Sequence, residues 1–147
     1  MAHTWPISVK GVAVVEGRVV LLRNERAEWE LPGGRLEAGD PSLEDTLVRE
    51  MAEETGWSVR VGPLLDTWIF QPVPDARIVI VTYGCTVLTP DRVPVVSHEH
   101  DQLALVPVEQ VPGLHMPEGY KRSIAAWLRR TPEPGQDPDA SGRPAPR

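Results

Sequence analysis

The stretch that decides the fold reads Gly33-Gly34-Arg35-Leu36-Glu37-Ala38-Gly39-Asp40 and, a few residues on, Arg49-Glu50-Met51-Ala52-Glu53-Glu54-Thr55-Gly56-Trp57. Asp40-Pro41 is a helix start signal. An aspartate oxygen accepts from free backbone N–H groups, and proline fits the first helical position. The expected helix runs from Pro41 to about Thr55, and Gly56 suits the left-handed residue that closes a helix. At about 100° per residue, Leu43, Leu47, Val48, Met51 and Ala52 form one broad apolar stripe. Glu50 and Glu54 are one helical turn apart and Glu53 lies between them, so the three carboxylates share a face. Glu54 projects close to Leu43 and Leu47, which sets the acidic face beside the buried one.

That placement is unfavourable without help. Like charges at this spacing repel by a few tenths of a kcal/mol when exposed, and partly buried carboxylates cost more unless paired. A divalent cation removes both difficulties, and magnesium prefers oxygen ligands. A solvated acidic face partnered by Arg49 is the plainer alternative. The neighbours favour the metal. Gly33 to Gly39, with three glycines, reads as a loop entering the helix, and Gly33 and Gly34 let backbone approach phosphate or metal closely. Arg49 sits where it can pair with a carboxylate and fix its rotamer.

Outward from this segment, Ile7 to Val15 and Val19 to Arg23 are valine-rich and flank Glu16-Gly17-Arg18, which reads as a β-hairpin. Trp29-Glu30-Leu31 reads as a short strand. Trp57 to Gln71 and Arg77 to Leu88 are β-rich, with Pro72-Val73-Pro74-Asp75 turning between them. Leu103 to Val108 is a further strand, and Glu118 to Arg129 an amphipathic helix with Tyr120, Ile124, Trp127 and Leu128 on one face. Strands, helix, strands, helix favour an α+β fold or three-layer sandwich over a regular βαβ repeat. Residues 1–130 form the expected domain. Residues 131–147 hold five prolines, two glycines and no aromatic residue, and are expected to be a disordered tail.

The chain has 147 residues and a formal net charge of -6, which leaves no basic footprint for nucleic acid or anionic lipid. A phosphorylated substrate then needs local arginines or metal to offset the field. The one cysteine, Cys85, excludes a disulfide framework and is expected to pack as a small hydrophobe. The start lacks the basic and apolar regions of a signal peptide. No apolar run approaches the roughly 20 residues of a membrane helix. The expectation is a soluble, cytoplasmic protein.

Gly34 to Asp40 together with Arg49 to Trp57 resembles the Nudix box, G-x5-E-x7-R-E-U-x-E-E-x-G-U, in which U is bulky and apolar. Trp29-Glu30-Leu31-Pro32-Gly33 resembles the usual approach to the box, and Ser97-His98-Glu99-His100-Asp101 through Pro107 a common downstream segment. The likeness covers roughly Ile7 to Leu128. In two respects the box departs from the pattern: Asp40 stands where the family has glutamate, and one extra residue separates it from Arg49.

The resemblance implies a Nudix-like α/β/α sandwich with a mixed sheet. It implies magnesium-dependent hydrolysis, with manganese as a substitute, of a nucleoside diphosphate linked to another moiety. ADP-ribose or a nucleotide sugar is the favoured substrate, on the weak cue of Pro72. The alternatives are a clean-up nucleoside triphosphate pyrophosphohydrolase and a non-catalytic nucleotide-binding module. Isopentenyl diphosphate isomerase, a related fold, needs a catalytic cysteine, and Cys85 falls in an expected buried strand. By position, Glu50, Glu53 and Glu54 match metal-binding glutamates, Arg49 an orienting arginine, and Gly33 a carbonyl ligand. Glu99 matches a further ligand or general base. Glu53 and Glu99 are the expected proton acceptors, because Glu50 and Glu54 make the better metal pair. Gly34, Arg23, Arg26 and Arg35 are candidates for phosphate, and Trp68 and Phe70, on one strand face, for stacking on a base. His98 and His100 are expected at the surface. The sequence does not fix the oligomeric state; by analogy with relatives that dimerise, a homodimer is possible, and the N-terminal hairpin could pair with a partner.

Overall fold

The structure, a computed structural model, describes residues 4–95 and 102–130. Strands β1 (Ile7–Val15) and β2 (Arg18–Arg23) form the expected hairpin. Its two-residue turn has both Glu16 and Gly17 at positive φ, the backbone hand that matches strand twist. Then come β3 (Trp29–Glu30), β4 (Gly33–Arg35) and helix α1 (Leu43–Thr55). They are followed by β5 (Val59–Val73), β6 (Ala76–Val87), β7 (Gln102–Pro107), a 3-10 turn (Val108–Gly113) and helix α2 (Glu118–Arg130).

The seven strands form one mixed sheet in the order β3-β2-β1-β6-β5, with β4 added to β1 and β7 to β2. The β1–β6 pair is parallel and the other pairs are antiparallel. On the edge strand β5, Pro63 falls within a register shift between Val61 and Leu64 and Pro72 within one between Phe70 and Val73. An edge is where a residue without an N–H is tolerated.

Alternation along the strands builds two cores. Val9 and Ala13 of β1, Val20 of β2 and Val81, Tyr83 and Cys85 of β6 pack against Leu47 and Met51 of α1. The neighbouring positions Val12, Val19, Leu21 and Ile80 pack against Tyr120 and Ile124 of α2. Helices therefore cover both sheet faces, the α/β/α sandwich expected. Cys85 is buried, and burial pushes its thiol up to about 12, so it packs as a hydrophobe and carries no thiolate chemistry. Among the described residues no helix is long and apolar enough to cross a membrane.

Four expectations change. Gly33 to Arg35 is a strand rather than loop, paired with β1 through Lys10–Gly33, Val9–Gly34 and Ser8–Arg35. Glycine-rich sequence carries no alternation to announce a strand. The cap of α1 is Ser42, whose side chain accepts from Asp45 N at 3.0 Å, because Asp40 is drawn away to Arg49. The apolar stripe is narrower than Leu43 to Ala52 suggests: Val48 and Ala52 are exposed, and Glu50 and Glu54 take up buried positions beside Leu47 and Met51. The hairpin is not free to pair with a second copy, since β1 lies between β6 and its neighbours β2 and β4, and β2 between β1 and β3/β7.

Replacing Ser42 with alanine removes the cap acceptor and is expected to lower unfolding free energy by about 1 kcal/mol in urea titration. An unchanged midpoint would return the cap to Asp40.

Candidate active site

The site grows from the meeting of β1, β4 and α1. Gly33 adopts φ +146, and a Cβ there would overlap the Val9 carbonyl oxygen and come within 2.8 Å of Lys10 Cα. No side chain is tolerated at that backbone position. The close pairing lets Gly33 N donate to Glu54 Oε1 at 2.9 Å, from a glutamate only 4% exposed. One residue on, a Cβ at Gly34 would lie 2.5 and 2.7 Å from the two carboxylate oxygens of Glu50. Two helix carboxylates are thus seated on consecutive glycines, in space that side chains would otherwise fill.

Arg49 organises the outer part of the site. Its Nη2 donates to Asp40 Oδ2 at 3.0 Å and its Nη1 to Glu50 Oε2 at 3.0 Å. Glu53 lies 3.6 Å and Glu37 3.9 Å from the same guanidinium. The bond to Asp40 raises the Arg49 pKa above its ordinary value, burial opposes it, and Glu50 reinforces it, so the guanidinium is permanently charged. Asp40 accepts in addition from Glu37 N and Thr46 Oγ1. The backbone bond from Glu37, then that from Thr46, then Arg49 hold its carboxyl below the usual aspartate range, against a smaller opposing effect of desolvation. The extra residue before Arg49 is absorbed between Asp40 and the true cap Ser42. Asp40 still reaches Arg49.

The carboxylates are not equivalent. Glu50 and Glu54 are buried, whereas the Glu53 side chain is 58% exposed and turned toward Arg49. Among the described residues, no three acidic, histidine or cysteine side chains converge closely enough to hold an ion as they stand. In kind the donors fit magnesium, since all are hard oxygens and two carboxylates already share the glycine turn. In arrangement Glu53 lies against Arg49 at 3.6 Å, apart from the two seated carboxylates.

Of the residues expected to bind substrate, Gly34 lies within this cluster and Arg35 is exposed beside it, opposite Ser8 of β1. Arg23 is at the far end of β2, bonded to Gln102 Oε1 at 3.4 Å, and Arg26 is paired with Glu28 at 3.1 Å. Trp68 and Phe70 pack in the core under α2, edge to face with ring centres 5.5 Å apart. Trp68 also meets Tyr120 edge to face at 5.3 Å. Glu99, His98, His100 and the segment 131–147 lie outside the described residues.

Sequence reading missed Lys10. It is 7% exposed, directly across from Gly33. Burial works to lower its pKa, but Tyr120, Glu30, Glu54 and Glu50 together raise it above the ordinary lysine value, so it stays charged. The available signal was a single cation inside the valine-rich run Ile7 to Val15, on the same strand face as Val12.

Because the folded-state pKa of Asp40 is depressed, its contribution to stability is fully present above the unfolded value of about 4 and is lost as pH falls through the folded value. The melting-temperature gap between wild type and Asp40→Asn is therefore expected to be constant from pH 8 to about 5 and to narrow in more acid buffer. A gap that widens on acidification would contradict this assignment.

The NUDIX domain profile matches residues 6–128. A MutT-like protein of Streptomyces ambofaciens is 47% identical over 60 residues, 40% of this chain and 38% of that protein. A Caenorhabditis elegans relative is 50% identical over 40 residues, 27% of this chain and 11% of that protein. The matched segments thus span well under half the length of these relatives. Among solved structures, the MutT protein of Methanosarcina mazei Go1 superposes with TM-score 0.72 at 24% identity, covering 88% of this chain and 97% of that one. A UDP-X diphosphatase superposes with TM-score 0.69 at 24% identity, covering 88% and 64%. An ADP-ribose pyrophosphatase of Streptococcus suis gives 0.67 at 22%, covering 86% and 92%. These likenesses are of fold. The profile match spans most of the chain and includes the glycine turn and its glutamates, and on that ground the chain belongs to the Nudix hydrolase family.

Proposed function

We propose that this chain is a divalent-metal-dependent hydrolase of the diphosphate bond in a nucleoside diphosphate derivative. The observation that carries the reading is the seating of Glu54 on the Gly33 N–H and of Glu50 over Gly34. Two acidic groups are held at a turn whose backbone is bare enough for a diphosphate to approach. The preferred substrates are ADP-ribose and nucleotide sugars. Structural relatives named as a UDP-X diphosphatase and an ADP-ribose pyrophosphatase support that class, as does the NUDIX domain of Shewanella oneidensis NrtR, crystallised with ADP ribose. Nucleoside triphosphates are the second class, in keeping with the relatives named MutT.

Glu50, Glu54 and the Gly33 carbonyl are the proposed inner ligands for magnesium, or manganese in its place, with Glu53 joining after release from Arg49. Bound metal offsets phosphate charge and acidifies a water. Arg49 remains tied to Asp40 and keeps Glu50 in its rotamer. Gly34 gives the diphosphate room, and exposed Arg35 lies nearest to meet its charge; Arg23 is more remote. Trp68 and Phe70 are engaged in the core under α2 and Tyr120, and no stacking role is proposed for them. Water adds to one phosphorus, the bond from that phosphorus to the bridging oxygen breaks, and two phosphate monoesters leave. The water proton passes to a carboxylate, Glu53 or Glu99.

Glu54→Gln keeps an oxygen that can accept from Gly33 N–H and removes the charge. It is expected to melt near wild type, yet to lose turnover by about 100-fold or more and bind magnesium at least about tenfold more weakly. A panel of ADP-ribose, UDP-glucose, diadenosine polyphosphate and dGTP, each with magnesium and with chelator, supplies the assay. Turnover of Glu54→Gln near wild type, or no metal-dependent product from any member, would refute the reading.

A further inference from the structure

The sheet ends on one side at β5, and among the described residues no strand pairs with its outer side. Edge strands are ordinarily guarded by charge or proline. Here Thr67-Trp68-Ile69-Phe70-Gln71 carries neither, while Pro63 and Asp66 stand before it and Pro72, Pro74 and Asp75 after it. Ile69, at the middle of this window, is 49% exposed, and Val73 is 52% exposed.

The backbone groups of Ile69 point away from the sheet. Asp66 to Phe70 pairs with Thr82 to Ile78 in unbroken register, with Ile69 opposite Val79. The Val79 N–H donates to the Pro6 carbonyl at 2.9 Å, on the far side of β6, so it is not given to Ile69. Thr67, two residues away, gives its N–H to Asp66 Oδ1 at 2.8 Å rather than to β6. Alternation along an antiparallel pair then directs the N–H and carbonyl of Ile69 outward. Its side chain closes a row, since Ile7, Val79 and Ile69 are successive partners across β1, β6 and β5. Ile7 and Val79 are partly buried against the core under α1, and the row is open at Ile69.

We propose that β5 pairs antiparallel with β5 of a second copy of this chain, about a two-fold axis at Ile69. Each Ile69 N–H donates to the carbonyl of the partner's Ile69, and the row Ile7–Val79–Ile69 continues into the same row of the partner. The edge is complementary to itself. The axis sets Thr67 opposite the partner's Gln71 and Asp66 opposite the partner's Pro72, so no like charges meet. Leu65 to Val73 spans about 30 Å at 3.3 Å per residue. Pairing over that length buries on the order of 1,000 Å² across both copies, the lower bound of a specific interface, which makes the dimer weak and reversible. The guards at either end of the window hold one register and stop growth past the dimer. The pairing is independent of the hydrolytic reading, because the glycine turn sits on the opposite edge of β1 from β6 and β5.

Sedimentation velocity of the full chain, from about 1 µM to about 500 µM, tests the proposal. Wild type is expected to be half dimeric at about 10–100 µM. Ile69→Lys, which sets a charge against its own mate, is expected to raise that concentration by at least about tenfold while melting near wild type. Ile69→Val is expected to stay within about threefold. Hydrogen exchange on wild type needs no variant and serves where the lysine variant does not fold. The Ile69 amide is expected to gain protection as concentration rises, and the Trp68 and Phe70 amides, directed to β6, to be protected throughout. A wild type that stays monomeric, or a dimer indifferent to Ile69→Lys, would overturn the proposal. Exchange at Ile69 that does not follow concentration, or assembly that grows past two copies, would overturn it as well.

Discussion

A buried glutamate accepting one glycine N–H is the contact on which the rest of the site depends. Glu54 reaches Gly33 N at 2.9 Å, and this fixes α1 against β4. A hydrogen bond to a charged acceptor contributes about 1.5–3 kcal/mol, and the same carboxylate left without it would be a liability of similar size. The contact demands a residue without a side chain at Gly33, because Val9 and Lys10 lie so close. It also sets the register in which Val9 opposes Gly34, and hence the vacant space into which the Glu50 carboxylate fits.

Charge completes what packing begins. Glu37, Asp40, Glu50 and Glu53 all address one guanidinium, Arg49. Burial works to lower the pKa of Lys10, and Tyr120, Glu30, Glu54 and Glu50 together raise it. Around Arg49 the acids outnumber the cations. Arg49 is saturated with partners.

Much of this was legible in the chain. The hairpin, the long β-rich run, both helices and the Gly56 cap follow from valine alternation, helical spacing and the left-handed preference of glycine. The box glutamates and Arg49 were legible as a constellation, because their spacing on a helix puts them together. What could not be read were the tertiary choices. Asp40 and Ser42 are both good caps, and only the pull of Arg49 decides between them. The strand at Gly33 has no side-chain pattern and exists through its pairing with β1. Glu53 was expected beside Glu50 and Glu54, but Arg49 holds it outward. Lys10 was legible in principle and overlooked, because a lone cation in a buried strand leaves no periodic trace.

The proposed cation site depends on the bare glycine turn. Titration with manganese, followed by the relaxation of water protons, reads ion binding without reference to any substrate. Wild type is expected to bind manganese. Gly34→Ala, whose Cβ displaces the Glu50 carboxylate, is expected to bind it about tenfold to 100-fold more weakly while its helix content is unchanged. Equal binding by the folded alanine variant, or none by wild type, would contradict the claim that Glu50 over Gly34 is part of a cation site.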